Sequence, residues 1–176
     1  MIRVSETHLA TIRQHGAETF PNECVGVLLG DVLKEQGQGS SALNLKTLDL
    51  VKVVQEVRPL PNTFEPSAEF ELSVLPEGEV ALEPEVATVG QERRYLLSPD
   101  TMFALMREER RTGRKVLGFY HSHPNHPAIP SVYDREWASP WYTYIIVSVQ
   151  NGVPDALTAW QLTDDRSQFE PEDVES

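Results

Sequence analysis

The stretch that decides the fold is "GFYHSHPNHPAIPSVYD", residues 118–134. It holds three of the chain's five histidines within six positions and closes on an aspartate. The residues leading into it, "KVLGFYHSH" (115–123), read as a strand. Side chains on a strand alternate between two faces, so His121 and His123 share one. Ser131 and Asp134 stand three apart ahead of a short polar run, which is a capping box and predicts a helix start. Two imidazoles and one carboxylate are good ligands for zinc, and three protein ligands with an open fourth position are the pattern of a catalytic ion. Taken separately, the halves have plainer readings: a surface histidine pair and a helix cap. Joined by a proline-rich turn, they are much more specific. A helix start that carries Asp134 back towards the strand end closes a three-ligand site.

Working outward, "RRYLLSPD" precedes a helix with Ser98 as N-cap, Pro99 at its first position and Asp100 in its first turn. Met102, Leu105 and Met106 form the expected buried stripe, and Gly113 the C-cap. After Asp134, a short helix is expected over "REWAS", stopped before Pro140. "YTYIIVSV" and "DALTAWQLT" read as strands. Nearer the start, Ser5 caps a helix carrying Leu9 and Ile12, which Pro21 ends. "ECVGVLLG" (23–30) is a buried strand, and "LNLKTLDLVKVVQEVRPL" (43–60) is one strand or two. This order of helix, strands, helix, strand, short helix and strands predicts a mixed α/β domain with a central sheet flanked by helices.

Charge is uneven. The net charge of −12 comes from residues 62–92, with eight glutamates and no other charged residue, and from 163–176, with six acids against Arg166. The rest is nearly neutral, which disfavours a nucleic-acid partner. Residues 62–92 also contain Pro66, Pro76 and Pro84 and read as an inserted loop or loose hairpin. The tail 163–176 reads as frayed and disordered. With one cysteine, Cys24, neither an intrachain disulfide nor a multi-cysteine zinc site is available. No apolar run approaches membrane-spanning length, and the N-terminus lacks a signal-peptide core, so a cytoplasmic protein is expected.

His-x-His-Pro followed by Ser-x-x-Asp resembles the signature of the JAMM (MPN-plus) zinc metalloproteases. That family also has a glutamate upstream, after the first helix and just before an apolar strand; "PNECVGVLLG" supplies Glu23. The resemblance covers roughly residues 5–58 and 93–160, and the acidic segment 62–92 departs from the compact pattern. It implies a single-domain JAMM, cytidine-deaminase-like fold over 1–162. It implies His121, His123 and Asp134 as ligands of one Zn2+ with its water, Glu23 as acid/base, and Ser131 as hydrogen-bond donor to the oxyanion. The implied activity is metallopeptidase hydrolysis of peptide or isopeptide bonds at the C-terminal Gly-Gly of a ubiquitin-like or sulfur-carrier protein. The alternative is a non-catalytic binding or scaffold module that keeps the zinc site.

Several neighbours of the motif have expected places. Cys24 alternates with Glu23 and should pack in the core. Tyr120 and Ser122 should face away from the metal. His126 belongs at the rim, touching substrate or only solvent, because a fourth protein ligand would displace the reactive water. His8 and His15 read as surface or boundary residues. Trp137 and Trp141 read as core or cover, with a groove wall as the other reading. Residues 62–92 are either a flap whose acidic face meets a basic substrate patch or a solvated loop.

Overall fold

The computed structural model describes residues 1–36, 48–65, 90 and 94–176. Along the chain run β1 (Ile2–Arg3), α1 (Glu6–Thr19), β2 (Val25–Gln36) and β3 (Leu48–Leu60). Then come α2 (Pro99–Thr112), β4 (Lys115–Pro124), α3 (Val132–Trp137), β5 (Thr143–Gln150) and β6 (Val153–Leu162). β7 (Phe169–Pro171) and β8 (Val174–Glu175) follow. The strands form one mixed sheet in the order β7-β6-β5-β4-β2-β3-β1-β8. β4 runs parallel to β5, and β1 runs parallel to β3 and β8; the other neighbours are antiparallel.

Both faces are covered, as the apolar runs in β4 and β5 require. On one face α1 packs Leu9 and Ile12 against Cys24, Leu28, Leu117, Tyr120, Ile145 and Val147. On the other, Leu105 of α2 and Ala138 beyond α3 meet Val27, Phe119 and Tyr144. Local signals set the helix ends. The Ser5 hydroxyl accepts from His8 N–H, and Ser98 accepts from Thr101 N–H with Pro99 at the first turn. Gly113 closes α2 at φ 79°, the left-handed conformation that a Cβ disfavours.

A bulge in β4 aims the site. Leu28 pairs with Gly118 but Leu29 pairs with Val116, so Leu117 is an extra residue. Val116 and Phe119 therefore lie on one face, and Leu117 and Tyr120 on the other. Were the same residues an unbulged strand, strict alternation from Val116 would turn His121 and His123 to the α1 face.

Some expectations are corrected. Residues 48–60 form one strand; 43–47 lie outside the described residues, as do 66–89 and 91–92 of the acidic segment. The start of that segment is not a detached loop, because Phe64 is buried and Asn62 bonds back to the domain. α3 begins at Val132, three residues before the expected "REWAS", because the capping box starts the helix directly after Ser131. Met106 is 53% exposed: α2 turns only Leu105 and the half-buried Met102 inward.

The tail, expected to be disordered, closes both edges of the sheet. β7 pairs with β6 and β8 with β1. Between them Glu172, 4% exposed, accepts from Thr143 Oγ1 at 2.6 Å and stands 3.9 Å from Lys52 Nζ. The acidity that suggested solvation supplies the partner of a buried cation.

Candidate metal centre

The site is assembled where three elements meet. β4 supplies His121 and His123, both buried. α3 supplies Asp134 at its third position, where the capping box is complete. Ser131 Oγ accepts from Asp134 N–H at 3.2 Å, and Asp134 Oδ2 accepts from Ser131 N–H at 2.6 Å. The lead into β2 supplies Glu23. The backbone there is tied to β4, since Cys24 N–H donates to Ser122 Oγ at 2.8 Å and Ser122 N–H to Cys24 O at 3.2 Å.

The His121 and His123 Nε2 atoms face one another at 3.0 Å. Asp134 Oδ1 lies 3.2 Å from the first and Oδ2 lies 3.5 Å from the second. Among the described residues, this is the group of His, Cys, Asp or Glu donors close enough to share an ion. With zinc–nitrogen distances of about 2.0–2.1 Å, a tetrahedron places two donors about 3.3 Å apart. The observed separations bracket that value, so the donor set fits zinc. His123 Nδ1 lies 2.8 Å from Pro127 O, a partner that only accepts. This fixes the proton on Nδ1 and leaves the Nε2 lone pair facing the gap.

The electrostatics suit an ion. Burial pushes the Asp134 carboxyl up, but the two imidazoles outweigh it and hold the group well below the usual carboxylate range. Burial lowers His121 more than Asp134 raises it, which favours the neutral, ligating imidazole. For His123 burial also lowers, but the Asp134 carboxylate outweighs it and the net direction is upward. The Glu23 charge contributes to that rise, so it acts at the same centre.

Glu23, Ser131 and Asp134 line one cleft with Phe64, Arg94, Tyr95, Tyr133 and Trp137. Four of these were not singled out by the sequence. Tyr95 lays its ring 4.6 Å from that of His121. Arg94 sits over the Tyr133 ring at 3.5 Å. Trp137, 55% exposed, is a groove wall and not core. No local signal marks Phe64, Arg94 or Tyr95; each owes its place to contacts with residues tens of positions away.

Other neighbours stand as expected. Cys24 is buried in the core and burial pushes its thiol up to about 12. Tyr120 and Ser122 point away from the centre, the Tyr120 hydroxyl meeting His15 Nδ1 at 2.9 Å across the α1 face. His126 is exposed at the turn, and its carbonyl accepts from Ser148 Oγ. Trp141 is exposed and contacts Lys52 through its ring and carbonyl, away from the cleft.

A sandwiched mixed sheet that gathers two imidazoles and a carboxylate at the end of its fourth strand defines a JAB-type domain. The chain belongs to the prokaryotic homologs of the JAB domain, whose family model matches residues 5–163. It is 39% identical over 92 residues to a protein named desampylase from Haloferax volcanii. That match covers 51% of this chain and 58% of the relative, less than two thirds of its length. Among solved structures, a Salinibacter ruber protein is 34% identical, with 99% of this chain and 90% of that one covered, at a TM-score of 0.58. A Desulfitobacterium hafniense protein shares the fold at 22% identity and a TM-score of 0.63, with 99% and 91% covered. Among the described residues, no helix is long and apolar enough to cross a membrane.

Proposed function

We propose that this protein is a zinc-dependent hydrolase. Its substrate would be a peptide or isopeptide bond after the C-terminal Gly-Gly of a ubiquitin-like or sulfur-carrier protein. The observation that carries the reading is the convergence of His121 Nε2, His123 Nε2 and the Asp134 carboxylate, with Glu23 lining the same cleft. His121, His123 and Asp134 would hold the ion. The chemistry zinc supplies when bound is polarisation of the scissile carbonyl and activation of water near neutral pH.

The chain's own residues do the rest. Glu23 takes a proton from the attacking water and delivers it to the departing amine, a role for a carboxylate within hydrogen-bond reach. Ser131 uses its hydroxyl twice. The oxygen accepts from Asp134 N–H, and the hydroxyl proton remains to donate to the developing oxyanion. Helix capping and oxyanion stabilisation are thus compatible in one side chain. The Ser131 N–H and Pro127 O orient Asp134 and His123 respectively, so these two ligands are held from behind. The name of the Haloferax volcanii relative supports removal of a ubiquitin-like modifier.

The test is hydrolysis of a ubiquitin-like protein fused through Gly-Gly to a reporter amine. Cleavage is expected with zinc, is lost on chelation, and returns on zinc addition. Glu23→Gln should keep the zinc and lose at least about 10²-fold in rate. Zinc-replete protein that leaves every diglycine conjugate intact contradicts the reading.

A further inference from the structure

Arg94 is a charged side chain that the mechanism above does not use. It is 7% exposed, yet its Nε and Nη1 have no hydrogen-bond partner among the described residues. Buried guanidinium N–H groups left without acceptors are costly, so these two nitrogens call for a compensating partner. It lines the cleft shared by Glu23, Ser131 and Asp134. Its guanidinium carbon lies 3.5 Å from the centroid of the Tyr133 ring, in the helix that also carries Asp134.

The backbone of Arg94 is held just as firmly. Asn62 Nδ2 donates to Arg94 O at 3.0 Å and to Glu23 O at 3.1 Å. Asn62 Oδ1 accepts from Phe64 N–H and Leu96 N–H. One amide therefore locks the residue bearing the proposed base to the residue whose Nε and Nη1 lack acceptors among the described residues. Stacking below and clamping behind are the marks of a prearranged recognition group.

We propose that Arg94 is the substrate-positioning residue of this cleft: its N–H groups take main-chain carbonyl oxygens of the acyl-side strand beside the scissile bond. The inference rests on the hydrolase reading above. Of the cleft walls, Phe64 is apolar, Glu23 and Asp134 only accept when ionised, and the Trp137 indole and the Tyr95, Tyr133 and Ser131 hydroxyls have one donor each, so Arg94 is the wall group with several donors. An extended glycine tail offers no side-chain contacts, so its carbonyls are what the protein can grip. A guanidinium presents several donors in a fixed fork, which suits two acceptors along a strand better than an ammonium does.

The experiment uses zinc-loaded protein carrying Glu23→Gln, which holds substrate uncleaved. The probe is a six-residue peptide ending in Gly-Gly and joined to a lysine side chain. Arg94→Met keeps the stem over Tyr133 and removes the donors; Arg94→Lys keeps the charge and loses the fork. The peptide Kd should rise on the order of 10- to 100-fold in Arg94→Met and by a smaller factor in Arg94→Lys. Zinc content and melting temperature should stay at the parent values. With Glu23 restored, Arg94→Met should raise KM by the same factor and leave kcat within about threefold. Peptide binding by Arg94→Met within twofold of the parent would overturn the role of Arg94 alone. A parent protein that binds no diglycine peptide would overturn the substrate reading and this inference with it. A fall in kcat at unchanged KM would show that Arg94 acts on the chemistry and not on positioning.

Discussion

Glu172→Gln is the most informative single change for the fold, because it removes one buried charge that Lys52 Nζ, at 3.9 Å, and the Met1 amino terminus, at 3.1 Å, share. In the native protein Lys52 Nζ donates to Thr143 Oγ1 at 2.9 Å and to Trp141 O, lies 5.2 Å from the Trp141 ring centroid, and faces Glu172 at 3.9 Å. The side chains are 8% and 4% exposed. Removing one partner of a buried pair costs about 3–5 kcal/mol when the other is stranded. Here Lys52 keeps two acceptors and the glutamine still accepts from Thr143, so the expected loss is about 2–3 kcal/mol. For a chain of this size that is roughly 4–12 °C in Tm.

The sign with pH follows from Lys52. Burial lowers its pKa from 10.5, opposed by Glu172. Between the lowered value and 10.5 the unfolded chain binds more protons than the folded one, so this group makes stability rise with pH. Losing Glu172 lowers the Lys52 pKa further and widens that window downward. The gap between wild type and variant should therefore be largest near pH 7 and shrink as pH approaches 10. Urea unfolding at pH 7 and pH 10 measures both. A loss below about 0.5 kcal/mol at pH 7, or a gap that widens with pH, would refute the reasoning.

Three further outcomes are expected. Gly118→Ala builds a Cβ 2.0 Å from the Thr143 carbonyl oxygen, where β4 and β5 pair; forcing the backbones apart should cost at least about 3 kcal/mol, and a melt within 2 °C of wild type would contradict this. The Cys24 thiol, pushed up to about 12, is ionised at roughly one part in ten thousand at pH 8. Native protein should stay unmodified by iodoacetamide by mass spectrometry and be labelled once unfolded, with activity unaffected by the reagent. Ser131→Ala removes the cap of α3 and the proposed oxyanion donor, so kcat should fall on the order of 10²-fold with zinc retained, and an unchanged kcat would remove Ser131 from the chemistry.

The parts of this protein legible in its sequence are those set by short-range rules. Ser5, Ser98 and Ser131 cap the helices as their spacing predicts, Gly113 takes the left-handed turn, and the two-residue period brings His121 and His123 together. The parts that were not legible depend on tertiary contact. Phe64 lies at the start of a segment whose composition suggests solvent and Arg94 just beyond its end, yet Asn62 bonds to the backbone of both and both line the cleft. The acidic tail looks solvated until Lys52, more than a hundred residues earlier, is seen to lie buried beside Glu172. The bulge at Leu117 is invisible to periodicity, though the histidines face the cleft because of it. Met106 fits the helical stripe, but α2 meets the sheet along too narrow a line to cover it.

The central claim is that His121, His123 and Asp134 form one metal site. Elemental analysis of purified, zinc-equilibrated protein beside His121→Ala and Asp134→Ala tests it most directly, with circular dichroism confirming the fold of each. Close to one zinc per wild-type chain is expected, and less than about a tenth of that in either variant. Full zinc occupancy in folded His121→Ala or Asp134→Ala protein would contradict it.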